Sequence, residues 1–204
     1  MATDEDRGMP HLREQASEPR GQTAEGASAR QPCNCFELRL QDGVAQGRHT
    51  TDGKITLHTE IWVDGQHLDE PHFIDLPLLV QSLHVQGWHE IFTCGCGVAA
   101  CPGIVDGIHV THDAGLVRWS FRRPQSAANL LDPALDEWEK TAVPVDLTFE
   151  RTQMLNAIQA YLDAVRALVG DEPGKFDWPV CGLSVQSVLK IDPRQPFYEI
   201  EGGE

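Results

Sequence analysis

Residues 54–63, KITLHTEIWV, alternate along the chain, with Ile55, Leu57, Ile61 and Val63 on one face and Lys54, His58 and Glu60 on the other. A period of two is that of a strand with one buried face. Asp52-Gly53 and Asp64-Gly65 bracket it with turn chemistry. Residues 36–40 read as a shorter strand. Asp75 then stands as a cap before 76–86, where Leu76, Leu79, Val80 and Leu83 recur at helical spacing and Pro77 fits the first turn. Residues 88–93 read as extended. Two runs, 108–112 and 116–121, are joined by Asp113-Ala114-Gly115, a hairpin signal that puts Val117, Trp119 and Phe121 on one inward face.

Further on, Asp132-Pro133 predicts a short helix over 133–140, and Val143, Val145, Leu147 and Phe149 alternate as a strand. The longest pattern covers 150–169. Met154, Leu155, Ile158, Tyr161, Leu162, Val165 and Leu168 recur at helical spacing, Gln153, Asn156, Gln159, Asp163 and Arg166 take the other face, and Gly170 supplies the stop. The last run, 183–191, reads as a strand with Leu183, Val185, Leu189 and Ile191 on one face. Strands and helices mix without a regular βαβ rhythm. The expected class is therefore α+β: a mainly antiparallel sheet, with the long amphipathic helix of the C-terminal half and shorter helices packed on one side of it.

Composition sharpens the boundary of this domain. Residues 1–32 hold six acids and four arginines, no aromatic residue, and only Met1, Met9 and Leu12 as large apolar side chains. Such a segment buries too little apolar surface to offset about 1–2 kcal/mol of backbone entropy per residue. It reads as a disordered tail, and 33–204 as a single domain. The net charge of the chain is -15, from 16 Lys and Arg against 31 Asp and Glu. Removing the tail's -2 leaves -13 on the domain. That charge disfavours a nucleic-acid partner and favours a basic protein partner. No stretch approaches the roughly 18 apolar residues of a membrane span, and the acidic start MATDEDRG lacks the apolar segment of a secretion signal. The expected setting is the bacterial cytoplasm.

The most specific feature is Cys94-Gly95-Cys96-Gly97, followed after four residues by Cys101-Pro102-Gly103. Three thiolates so close would repel one another unless a cation neutralised them, and zinc accepts cysteine sulfur at about 2.3 Å. Gly95, Gly97 and Gly103 let the backbone curl around one point. The spacing differs from the common knuckle, which has two residues between its cysteines. His109 is the expected fourth ligand if 102–107 folds back, with His89, Cys181 and the pair Cys33 and Cys35 as longer-range alternatives. His112 would lie too far along its strand. Buried thiols, an adventitious disulfide and redox chemistry stand beside the metal reading.

The segment from Phe92 to Trp119, FTCGCGVAACPGIVDGIHVTHDAGLVRW, resembles a pattern in bacterial proteins with no agreed activity. There, a Thr-Cys-x-Cys-Gly stretch, a third cysteine with a following Gly-Ile, and a strand pair ending in Trp recur. The resemblance implies that the cysteine cluster is one unit.

Other constellations are less specific. Glu60, Asp64, Asp69, Glu70 and Asp75 lie near His58, His67 and His72, a set able to ligate a catalytic metal, yet no fixed helical spacing joins them. Cys181 after Trp178-Pro179-Val180 is read as a core residue rather than a nucleophile. Trp138, flanked by Asp136, Glu137 and Glu139, could form an acidic aromatic face together with Trp178. These features lead to an acidic, immunity-like binding or adaptor protein stabilised by a cysteine-ligated structural zinc. The rival reading is a metal-dependent, hydrolase-like enzyme using the Cys/His cluster.

Overall fold

The computed structural model describes residues 32–42, 53–68, 73–94, 107–123, 143–180 and 182–196, all within the compact unit Pro32–Glu204. Strand β1 (Phe36–Asp42) pairs antiparallel with β2 (Ile55–Val63), Leu38 opposite Ile61. A two-residue turn at Asp64 and Gly65, both at positive φ, returns the chain into β3 (Gln66–His67). That is the turn geometry whose twist matches paired strands. Strand β4 (Phe73–Ile74) precedes helix α1 (Leu76–Ser82). Strands β5 (Gly87–His89) and β6 (Phe92–Thr93) follow, with β6 pairing to β4.

Next come β7 (Ile108–Asp113) and β8 (Leu116–Arg123), joined at Ala114 and Gly115, which also take positive φ. Strand β9 (Val143–Glu150) leads directly into α2 (Arg151–Val169). A short β10 (Phe176–Asp177) adds to β2 in parallel, and α3 (Val185–Leu189) closes the order. The class is α+β with mostly antiparallel pairing. Among the described residues the strands divide into three sheets rather than the single one expected: β1-β2-β10 with β3 on β2, the pair β4-β6, and β5-β7-β8-β9.

One core joins them. Phe36, Trp119 and Phe149 meet edge to face, with ring centroids 5.2–6.0 Å apart, a favoured aromatic geometry. Leu57, Ile61 and Val63 of β2 are buried on the alternating face, as the pattern of 54–63 predicts. Helix α2 buries Met154, Ile158, Tyr161, Leu162 and Val165 against the same core. Thr59 shares the buried face of β2, and its Oγ1 lies 2.6 Å from the hydroxyl of Tyr161.

Two elements differ from the sequence expectation. Helix α1 ends at Ser82, not at residue 86. The carbonyls of Ser82 and Val85 are taken by the Nε2 atoms of His112 and His89, at 2.8 and 2.9 Å, so side-chain donors replace another helical turn. Residues 183–191 are not a strand. Ser184 caps α3 by accepting from the Ser187 amide at 3.1 Å, and Val185, Val188 and Ile191 are the buried positions. Their spacing of three is helical, and the cap decides between two readings of one apolar set. Arg166 of α2 donates to the carbonyls of Leu189 and Ile191 and so completes the end of α3. The expected helix 133–140 and nearly all of the expected tail 1–32 lie outside the described residues.

Candidate functional site

Strand alternation fixes which side chains face out of the β5-β7-β8-β9 sheet. Ile108 and Val110 of β7, and Val117, Trp119 and Phe121 of β8, are buried. His109, Ser120 and the β9 residue Asp146 therefore point to the opposite face. The register sets them on one rung: Trp88 opposite His109, His109 opposite Ser120, and Ser120 opposite Asp146. Ser120 Oγ donates to Asp146 Oδ1 at 2.7 Å. The rings of Trp88 and His109 are tilted against each other with centroids 4.9 Å apart.

This rung forms the floor of a cleft of about 280 Å³. Pro144 adds apolar wall, and Arg122 and Phe121, the latter with its side chain in the core, also border the cleft. Trp88 is 63% exposed, the most exposed of the large hydrophobic residues described. Gly107 belongs to the same lining, and only glycine fits there. Its φ is +72°, and a Cβ would sit 2.8 Å from the His89 carbonyl oxygen. Behind this face, His89 is buried, and burial lowers its pKa from the ordinary 6.5, with a contribution from the neighbouring His112.

The residues singled out in the sequence are dispersed. His109 belongs to the cleft. Cys94 is held in a disulfide, and Cys96, Cys101 and Cys181 lie outside the described residues. A sulfur held in a disulfide is not a thiolate, so Cys94 can ligate a metal only after reduction. Cys33 and Cys35 are exposed and outside any disulfide, and Cys35 Sγ accepts from Gln153 Nε2 at 3.5 Å. His89 and His112 spend their Nε2 atoms on the end of α1.

Of the acidic and histidine set near β2, Glu60 Oε1 and His67 Nε2 come within 4.0 Å of each other, and among the described residues no third member joins them to hold a metal. Asp64 accepts from the Cys35 amide and from Asn34 Nδ2, both at 2.7 Å, which holds its carboxyl below the usual range. Asp75 Oδ1 caps α1 through the Leu78 amide at 3.0 Å. His58 stacks on Phe73 and His67 on Trp62, with Glu60 bonded to the Trp62 indole. Asp69, Glu70 and His72 lie outside the described residues. Among the described residues no three His, Cys, Asp or Glu side chains are grouped to hold a metal ion. Trp178 is core, 4% exposed, and cannot serve an acidic aromatic face; Trp138 lies outside the described residues.

Sequence reasoning missed Trp88, Ser120, Arg122 and Asp146. The outward phase of Ser120 and Asp146 was legible from the alternation of 116–121 and 143–149. The rung was not, because cross-strand register is set by pairing between distant segments. Among the described residues, no helix is long and apolar enough to cross a membrane. Comparison of the chain with protein-family models, with curated proteins and with solved structures finds no match.

Proposed function

We propose that the chain is a non-catalytic binding or adaptor protein whose recognition surface is the outer face of the β5-β7-β8-β9 sheet. The observation that carries the reading is Trp88, an indole left largely in solvent beside a rung of hydrogen-bonding side chains. Tryptophan is enriched at binding hot spots because it offers a large rigid area with little conformational entropy to lose. The net charge of -15 supports a basic macromolecular partner, since the long-range field speeds its encounter. The bacterial cytoplasm and a structural zinc on Cys94, Cys96, Cys101 and His109 belong to the same proposal. The zinc part applies to the chain with Cys94 reduced. The resemblance of the Phe92–Trp119 segment adds no activity.

The test compares the full chain with Trp88→Ala as bait for ligands from a bacterial lysate, at low and at high salt. The reading expects a discrete ligand lost with Trp88→Ala, and an association rate that falls as salt shortens the Debye length below about 10 Å. Equal recovery by both baits would remove Trp88 from recognition. Turnover of esters or phosphoesters that depends on added metal would favour the hydrolase reading.

A further inference from the structure

We infer that Cys33 and Cys35 form a two-sulfur clamp for a soft monovalent metal ion, of which copper(I) is the physiological example. The inference does not depend on the binding reading above.

The backbone sets the pair. Cys35 stands opposite Asp64 and carries the β1–β2 register one residue beyond Phe36 and Val63, its carbonyl accepting from the Asp64 amide at 3.0 Å. Successive amides point to opposite sides, as they do in extended chain. Asn34 N–H donates to the Thr148 carbonyl of β9 at 2.7 Å, and Cys35 N–H donates to Asp64 Oδ1 at 2.7 Å. Burial follows with a period of two: Cys33 and Cys35 are exposed, Asn34 is partly buried and Phe36 is buried. The two sulfurs therefore share the outward side.

The same segment is held still. The Asn34 side chain accepts from the Thr148 amide at 2.8 Å and donates to Asp64 Oδ2 at 2.7 Å, so it is stapled to β9 on one side and to the β2–β3 turn on the other. Two residues of extended chain separate their Cα atoms by about 6.6 Å, near the top of the roughly 4.4–6.8 Å that a disulfide spans. Neither cysteine is in a disulfide. Curling the chain to join the sulfurs directly would pull against these hydrogen bonds. An ion seated between the sulfurs leaves the bonds in place.

Ligand chemistry names the ion. Thiolate sulfur is soft and selects copper(I) and zinc among the common ions. Zinc completes a tetrahedron of four ligands, and among the described residues no three His, Cys, Asp or Glu side chains are grouped to start one. The Asp64 carboxyl oxygens are taken by the Cys35 amide and by Asn34. Copper(I) is satisfied by two sulfurs in a near-linear arrangement. Gln153 Nε2 donates to Cys35 Sγ at 3.5 Å and orients it, as an outer contact orients a metal ligand. Each thiol releases its proton to solvent as the ion binds, and the net charge of -15 draws the cation in.

The test is competition of the full chain against bicinchoninate for copper(I), under ascorbate and without oxygen. The parent, Cys33→Ser, Cys35→Ser and the double variant are compared, and circular dichroism checks each fold. The parent should hold about one more tightly bound copper(I) than the double variant. Either single variant should weaken that site by more than about tenfold, which even an outer contact is worth. Asn34→Ala, which keeps both sulfurs and loosens the backbone, should weaken it by about tenfold. Zinc uptake, followed with a chromophoric competitor, should be equal in the parent and the double variant. Equal copper(I) uptake by those two proteins overturns the inference. So does a single serine variant that binds as the parent does, because one sulfur would then suffice. Zinc in place of copper(I), lost with both thiols, overturns the two-sulfur assignment. Unchanged affinity in Asn34→Ala overturns the role given to the held backbone.

Discussion

Thr59 and Tyr161 interrupt an otherwise apolar contact between β2 and α2, and they do so as a matched pair. Their oxygens are 2.6 Å apart, and both side chains are buried. Tyr161→Phe removes one partner and leaves the Thr59 hydroxyl buried without a hydrogen bond. Leaving such a group unsatisfied costs about 1–3 kcal/mol. Thr59→Val creates the mirror defect at the Tyr161 hydroxyl, with a similar loss. Replacing both removes both polar groups, and a pair exchanged for apolar groups of like shape is nearly neutral. The double variant should therefore be more stable than the sum of the singles implies, with a coupling of at least about 1 kcal/mol.

For a domain of this size a loss of about 2 kcal/mol lowers Tm by about 4–8 °C. Urea unfolding of the four proteins, with unchanged slopes, measures the cycle. Additive losses would refute the pairing. There is also a sign in alkali. Burial raises the Tyr161 pKa above its usual 10.0, so the unfolded chain releases its proton first. Stability is intact below pH 10 and falls as pH rises beyond it. Tyr161→Phe should flatten that fall.

Four further outcomes are expected. The lowered pKa of His89 means the unfolded chain gains its proton first, so stability falls as pH drops below 6.5, by at most about 1.4 kcal/mol per pH unit for that group; thermal melts of His89→Gln should show a shallower acid slope than the parent. Gly107→Ala should cost about 1–3 kcal/mol by denaturant unfolding, because φ +72° and the His89 carbonyl oxygen both oppose a Cβ. Asp75→Ala should cost about 1 kcal/mol through loss of the α1 cap, and Asp75→Ser should recover most of it. Metal analysis of the chain purified anaerobically under reductant should find about one zinc per chain if the cysteine segment is a knuckle, and none would leave Cys94 with its disulfide chemistry alone.

Local patterns carried most of the fold. The alternation of Ile55 to Val63 named β2 and its buried face, and Asp113-Ala114-Gly115 named the β7–β8 hairpin. The spacing of Met154 to Val165 named α2. What failed was decided by partners distant in sequence. His112 and His89 end α1 from β7 and β5, and nothing in 76–86 announces them. The run 183–191 holds apolar residues compatible with either period, and the Ser184 cap settles it as helix. Trp88 and His89 invert the usual preference. The imidazole goes inward because the Val85 carbonyl receives its Nε2, and strand alternation then sends the indole out. A sequence reader places the tryptophan in the core on hydrophobicity alone. The cysteine segment is the loudest signal in the sequence, and most of it lies outside the described residues, whereas the Trp88–His109–Ser120–Asp146 rung is assembled from four strands and no one of them announces it.

The most direct measurement is the indole N–H resonance of Trp88, identified by its loss in Trp88→Phe and followed in labelled full-length protein. The account predicts that a basic protein ligand recovered with the full chain moves this resonance and the backbone amides of His109, Ser120 and Asp146 in one saturable transition. The Trp119 and Trp178 indoles, buried in the core, should stay in place. A Trp88 resonance that remains fixed while that ligand is added to saturation would contradict the claim that this face is where the protein binds.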